Sequence, residues 1–436
     1  MKKGFRAENV KAIVLTMMVI VVAIIIINEV MAGRIVVGSS NGGVRSMETV
    51  EVITRFSEAT RTSVFTDNKN GYFTANKDGA TFTDFSGNIK MNYAYNLTSP
   101  VCAFENGTLA VSESRAYMLY VFNEGGLLYS INTKYPVLSF SLNQQAWCSV
   151  IMHDGEDYRV LVYNSSGVEV KYGVLPNKNV FPVASDISND NRILAISYFD
   201  INDAKPNSKI DFLYLDKMEG LEYTDSVFAA SAKNSDQIIF RLEFMANNLM
   251  LAISEKNISC CDLSDGFGEK WRLTLPNKLT AFELTGYSGF LAALGEGRVN
   301  MNAEPEGTLI HYSLSGVDDW RFAASGEITK ISYSTRFNAV LAATERQVTA
   351  LTDKGSVLYE YIPAQKVSAV MFYSDRDANI AVFESHAAIL KPGSTAEEEI
   401  PAATAPEETA VVTPTEAGLP DETETPPTDG EGQEQE

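Results

Sequence analysis

Three histidines, four cysteines and scattered carboxylates are the chain's material for nucleophilic or metal chemistry. His153, His311 and His386 each stand alone in sequence, and no Gly-x-Ser-x-Gly elbow accompanies them. His153 sits in the turn Met152-His153-Asp154-Gly155, where exposure to solvent explains it. A Ser-His-Asp set gathered from distant strands has no local signal in its favour. Neither Cys-x-x-Cys nor His-Glu-x-x-His is present. Asp186, Ser188 and Asp190 alternate as calcium ligands do, but the Gly and the closing Glu of such a loop are missing. A hairpin turn accounts for them better, because Asp and Ser bond their own backbone there. No Gly-rich loop ending in Lys-Ser/Thr offers a phosphate cradle. The sequence therefore points to no catalytic residue, no cofactor-binding residue and no metal ligand, and no cofactor is expected.

Cys260 and Cys261 are adjacent within Asn257-Ile258-Ser259-Cys260-Cys261-Asp262-Leu263, a segment that reads as a strand. Neighbouring side chains on a strand point to opposite faces. A disulfide between them requires a distorted peptide, so both are expected as small buried hydrophobes. Cys102 and Cys148 fall in neighbouring repeats. Burial is expected there too, with pairing across a repeat interface as the alternative.

Charge excludes one class of partner. The 436 residues carry 56 acids against 35 bases, net −21. Residues 1–11 contribute +3 and residues 394–436 contribute −13, which leaves −11 for the part between. Phosphate backbones need a basic surface, so nucleic acid is not an expected partner.

The elements that must position any site come in four kinds. Residues 12–27 form an apolar run with Thr16 as its one polar member, and counting on through residue 32 gives a length that spans a bilayer. Basic residues precede it, which predicts a single-pass anchor over 12–32 with residues 1–11 cytoplasmic and the rest outside. The alternative is signal cleavage near Ala32, where Val30-Met31-Ala32 presents small residues. Residues 33–47, with Gly42 and Gly43, read as a linker. Residues 392–436, rich in Pro, Thr and acid, read as a disordered tail.

Residues 48–391 repeat. A polar residue, spacers and a Gly recur at Asp84-Phe85-Ser86-Gly87, Asn123-Glu124-Gly125-Gly126 and Asn164-Ser165-Ser166-Gly167, then near Gly220, Gly266, Gly316 and Gly355. Such turns join hairpin strands. Ala-rich apolar strands keep step with them, as in Leu249-Met250-Leu251-Ala252-Ile253-Ser254 and Phe290-Leu291-Ala292-Ala293-Leu294. A period near 44 residues with about four strands is the mark of propeller blades. The expected fold is all-β: an eight-bladed β-propeller with blades starting near Val64, Val101, Leu138, Ala184, Ile239, Ala281, Lys330 and Ala369. The last blade lacks a fourth strand, and a strand over residues 49–56 is expected to supply it and close the ring. Seven blades with an irregular region at residues 202–236, or two stacked β-domains, are the competing layouts.

Asp186-Ile187-Ser188-Asn189-Asp190-Asn191-Arg192-Ile193-Leu194-Ala195-Ile196-Ser197 resembles the strand-turn-strand of WD40-like and TolB-like propellers. Gly268-Glu269-Lys270-Trp271 and Gly316-Val317-Asp318-Asp319-Trp320 are similar to the repeat of quinoprotein-like propellers. The whole layout resembles uncharacterised membrane-anchored propeller proteins of Gram-positive bacteria. These likenesses imply fold rather than chemistry. Some quinoprotein dehydrogenases hold a disulfide between adjacent cysteines beside the cofactor, but no cofactor-stacking Trp or calcium ligand set accompanies Cys260 and Cys261. Sequons at Asn96, Asn106, Asn164 and Asn257 carry no meaning in a bacterial host.

The functional expectation is a non-enzymatic binding or scaffold module at the cell envelope, anchored by its N-terminal helix, with a protein or envelope-glycan partner. The alternative is a propeller hydrolase, lyase or quinoprotein with a carboxylate-lined site in the central channel. A sensor is disfavoured by the short cytoplasmic stub.

Overall fold

The computed structural model describes residues 47–55, 64–175, 179–202, 207–215, 228–234, 237–245, 248–286, 288–295 and 307–392. The expected anchor and cytoplasmic stub lie outside the described residues, as do all of the linker but its last residue and all of the acidic tail but its first, Pro392, which ends a strand. Among the described residues no helix is long and apolar enough to cross a membrane.

Among the described residues thirty-two strands form eight four-stranded antiparallel sheets. Their inner strands are Val64–Asn68, Pro100–Glu105, Val137–Leu142, Val180–Ile187, Ile239–Phe244, Lys278–Leu284, Lys330–Ser334 and Val367–Phe372, and they begin blades 1 to 8 in chain order. Each lies within four residues of its expected start. The irregular region of the seven-blade alternative includes the outer strand of blade 4, Phe228–Asn234, so blade 4 is complete. Met47–Arg55 pairs antiparallel with His386–Pro392 as the outer strand of blade 8. Closure by the first strand removes the open edges along which sheets aggregate.

The Ala-rich strands are the second in each blade, and their composition follows from position. Leu249–Ser254, Gly289–Gly295 and Ala339–Ala343 are buried along their whole length. Alternate residues enter different interfaces: Leu249, Leu251 and Ile253 pack towards blade 6, and Met250 and Ala252 towards blade 4. A strand covered on both faces needs apolar side chains on both. Each full-sized one contributes about 1.5–3 kcal/mol of burial.

The recurrent turn glycines have a second reason besides turn geometry. Trp271, on the outer strand of blade 5, donates its indole N–H to Leu314 O in the next blade at 3.1 Å. Trp320, on the outer strand of blade 6, does the same to Asp353 O at 2.8 Å. Each indole lies flat on the turn glycine of the next blade. A Cβ at Gly316 would stand 2.9 Å from Trp271, and one at Gly355 would stand 2.6 Å from Trp320. Both glycines also hold φ near +77°, a region that L side chains avoid. The Gly-and-Trp spacing in the sequence is thus a staple between consecutive blades.

Blades 1 to 7 each slip register by one residue between the third and outer strands. Such a bulge re-aims one side chain. In blade 1 the bulge residue is Lys90, which pairs with Asp84 at 3.1 Å. In blade 5 it is Lys270, which pairs with Asp262 at 3.0 Å. In blade 6 it is Asp319, whose partner is a histidine.

Candidate functional site: the channel mouth

The inner strands surround a central channel. Its mouth, on the side of the turns that follow each inner strand, is a cavity of about 1170 Å³. Two unlike walls line it.

One wall is acidic. Asp186, Glu243 and Glu283 occupy one register position in three consecutive blades, each opposite the third residue of its second strand: Ala195, Leu251 and Leu291. Glu105 joins them from the end of the inner strand of blade 2. Arg241 is two residues before Glu243, hence on the same side of the strand. Its Nε donates to Glu243 Oε1, and its guanidinium lies 5.1 Å from the centroid of the Phe282 ring. Asp186 is buried behind this wall, and its Oδ2 accepts the Phe244 N–H at 3.0 Å.

Four carboxyl groups around one guanidinium disturb one another. Burial pushes the Glu105 carboxyl up to about 7; the charge of Glu243 adds to this and Arg241 opposes it. Burial, then Glu243, raises Asp186 well above the ordinary carboxylate range, and the N–H groups of Phe244 and Ile187 only partly offset them. Asp186 is thus held more strongly towards its neutral form than an ordinary carboxyl group, and Glu105 is near half-protonation at pH 7. Burial alone would weaken the hold of Arg241 on its proton, but Glu243, Glu283 and Asp186 outweigh it and raise its pKa.

The opposite wall comes from blades 7, 8 and 1. The Arg336 guanidinium lies 4.9 Å from the Phe337 ring and 5.2 Å from the Phe85 ring, and its Nη1 donates to Lys69 O at 3.4 Å. Phe85 meets Tyr373 edge to face at 5.2 Å, and the Tyr373 hydroxyl donates to Phe85 O. This cluster bridges the three blades around the closure.

The residues singled out in the sequence separate cleanly. Ser188 Oγ donates to Asp190 Oδ1 and accepts the Arg192 and Ile193 N–H groups, a hairpin turn as expected. Asp186 does not join them; it goes to the acidic wall. Among the described residues, no group of three or more His, Cys, Asp or Glu is placed to hold a metal ion. All four cysteines are free thiols. Cys260 packs in the interface of blades 5 and 6 and Cys261 in that of blades 4 and 5, so the two sulfurs face opposite ways. Burial pushes both thiols, and that of Cys102, up to about 12, far from a reactive thiolate. Cys148 is buried in the interface of blades 2 and 3.

His153 contacts Tyr158, and His386 Nδ1 contacts Ser385 Oγ at 2.9 Å. His311 corrects the expectation that each histidine stands alone. Its Nε2 is 3.0 Å from Thr285 Oγ1 and its Nδ1 is 2.9 Å from Asp319 Oδ2. The three residues sit on three strands or turns of blade 6, at separations of 26 and 8 residues, so no local motif announces them. The one available signal was a histidine directly after the apolar pair Leu309-Ile310 in the largely buried third strand, Gly307–Ser313.

A family described as "Family of unknown function (DUF5711)" matches residues 43–391. The chain belongs to this family. No curated protein matches it. Among solved structures it is similar to the C-terminal WD40 domain of Sif2, with 14% identity, 80% of this chain and 99% of that chain covered, and a TM-score of 0.54. BamB from Moraxella catarrhalis is similar at 12% identity over 80% and 98% of the two chains, with a TM-score of 0.48. At such identities the likeness to the Sif2 domain concerns the propeller fold alone.

Proposed function

We propose that this chain is a ligand-binding module that takes a cationic group of a protein or envelope-glycan partner into the acidic side of its channel mouth. The observation that carries the reading is that Glu105, Glu243 and Glu283 line one side of the cavity together with Arg241, with Asp186 behind them at the register position of Glu243 and Glu283. A walled cavity strengthens such electrostatics, because low-dielectric sides focus the field. The apolar run at residues 12–27, counted on to residue 32 as an anchor and preceded by basic residues, supports a place for the module on the outer side of the cytoplasmic membrane.

A fluorescent lysine-rich decapeptide serves as probe, and its anisotropy with the full chain reads affinity. Glu105→Gln with Glu283→Gln, which spares the Arg241–Glu243 pair, is expected to weaken binding about tenfold, the scale of one lost charge-assisted contact. Removal of residues 393–436 controls for the acidic tail and is expected to leave binding in place. Equal affinity of the double variant and the parent would overturn the reading. Digestion of the propeller by protease added to intact spheroplasts tests the outward placement.

A channel enzyme is the second reading. Glu105, held at about 7, has the acidity suited to general acid–base work. The two readings part on Glu105→Gln: a ligand that still binds but is no longer converted identifies the enzyme.

A further inference from the structure

In blade 6 four polar side chains form a line from the channel mouth into the sheet. Ser288 and Thr285 both line the cavity. Ser288 Oγ is 3.0 Å from Thr285 Oγ1, Thr285 Oγ1 is 3.0 Å from His311 Nε2, and His311 Nδ1 is 2.9 Å from Asp319 Oδ2. The imidazole is fixed: it is 7% exposed and stacks on Trp320 at 5.7 Å with the planes 9° apart. With Asp319 accepting from Nδ1–H, Nε2 is left as the acceptor for the Thr285 hydroxyl proton.

A turn cap does not explain this line. The Ser288 hydroxyl has one proton and two acceptors in reach: Thr285 O at 2.9 Å, which closes the turn, and Thr285 Oγ1 at 3.0 Å, which enters the line. That closure needs neither His311 nor Asp319. The register position of His311 is held by Cys260 in blade 5 and by Ala350 in blade 7. A buried imidazole with a carboxylate partner thus replaces an apolar residue in this blade alone of the three.

We propose that Ser288 is an activated nucleophile for acyl transfer from a carboxylic ester or thioester held in the channel mouth, with Thr285 as proton relay, His311 as base and Asp319 as its orienting partner. The inference is independent of the cationic-ligand reading. Ser288 Oγ attacks the acyl carbon while its proton moves to Thr285 Oγ1 and that of Thr285 moves to His311 Nε2. The imidazolium returns a proton along the same line to the leaving alcohol or thiol as the old acyl bond breaks. Water, deprotonated by the same route, then releases the acid from the acyl-serine and restores the hydroxyl. Burial holds the pKa of His311 below its ordinary 6.5 despite the charges of Asp319 and Asp353, so the base is neutral at physiological pH.

An alkyl fluorophosphonate tests this on the full chain. Ser288 Oγ bonds to phosphorus, fluoride leaves, and the proton passes to His311. Mass spectrometry then compares Ser288 with Ser315, an exposed serine of the same blade. Ser288 is expected to label at least about tenfold faster, to slow about a hundredfold in Asp319→Asn and in Thr285→Val, and to recover in Thr285→Ser. Labelling is expected to fall as acid protonates His311. Asp319 has 46% of its side chain exposed, so its amide variant is expected to fold, and an unchanged melting temperature verifies this. Equal labelling of Ser288 and Ser315, or full-rate labelling in folded Asp319→Asn or Thr285→Val, would overturn the proposal.

Discussion

The two walls of the channel mouth solve opposite problems. Around Arg336 one cation meets two aromatic faces and a carbonyl oxygen, and its neighbours bond each other across blades 7, 8 and 1. That wall is internally satisfied, and its position around the closure gives it a structural task. Around Arg241 one cation faces four carboxyl groups, two of which are held well above their ordinary pKa. That wall carries an electrostatic cost that the Asp186 bond to the Phe244 N–H only partly offsets, and perturbed carboxyl groups in a cleft mark a candidate functional site. Two arginines at one mouth therefore differ in kind.

The largest effect that would break the contrast is Arg241→Met. Removal of one partner from a buried charge set costs about 3–5 kcal/mol. The Arg241 side chain is 42% exposed to water confined in the channel, so about 2–3 kcal/mol is expected after screening. Denaturant melts at pH 8 measure it; an unmoved midpoint would mean that channel water already neutralises the wall.

Glu105 sharpens the contrast through pH. Its carboxyl titrates near 7 when folded against 4.5 when free. The native chain therefore keeps a proton that the unfolded chain releases, and the associated stability is full below about pH 4.5 and lost as pH rises through 7. Glu105→Gln mimics the protonated form. It is expected to change little near pH 4 and to raise stability at pH 8 by about 2 kcal/mol, less than the full shift because the group is only half-buried. Identical pH profiles for parent and variant would show that Glu105 is ordinary.

The smallest expected effect lies on the other wall. Arg336→Ala should cost about 1 kcal/mol, the worth of an exposed cation over aromatic faces, with no pH dependence between 5 and 8. A loss as large as that of Arg241→Met would erase the difference between the walls.

Much of this architecture is legible in the sequence. The turn glycines and Ala-rich strands marked the blades, and the orphan strand at the start found its place beside His386–Pro392. The adjacent cysteines behaved as strand alternation demands. The acidic wall left a weaker trace: Asp186, Glu243 and Glu283 hold one repeat position, visible only once the inner-strand register is known. Asp186 was noticed in the sequence, but for a turn it does not serve. The relay on His311 left almost none, because its members meet through strand pairing and a bulge.

Sequence by itself determined the repeat, the closure and the polarity of each strand, since these follow from local turn chemistry and from which faces must leave water. Tertiary structure alone decided which charges share the channel. Inner-strand side chains from blades 2, 4, 5 and 6 converge only when the ring shuts, and a one-residue bulge turns Asp319 towards His311. Both depend on register between strands, and hydrophobic pattern constrains register only to the face, not to the polar partner that each face meets.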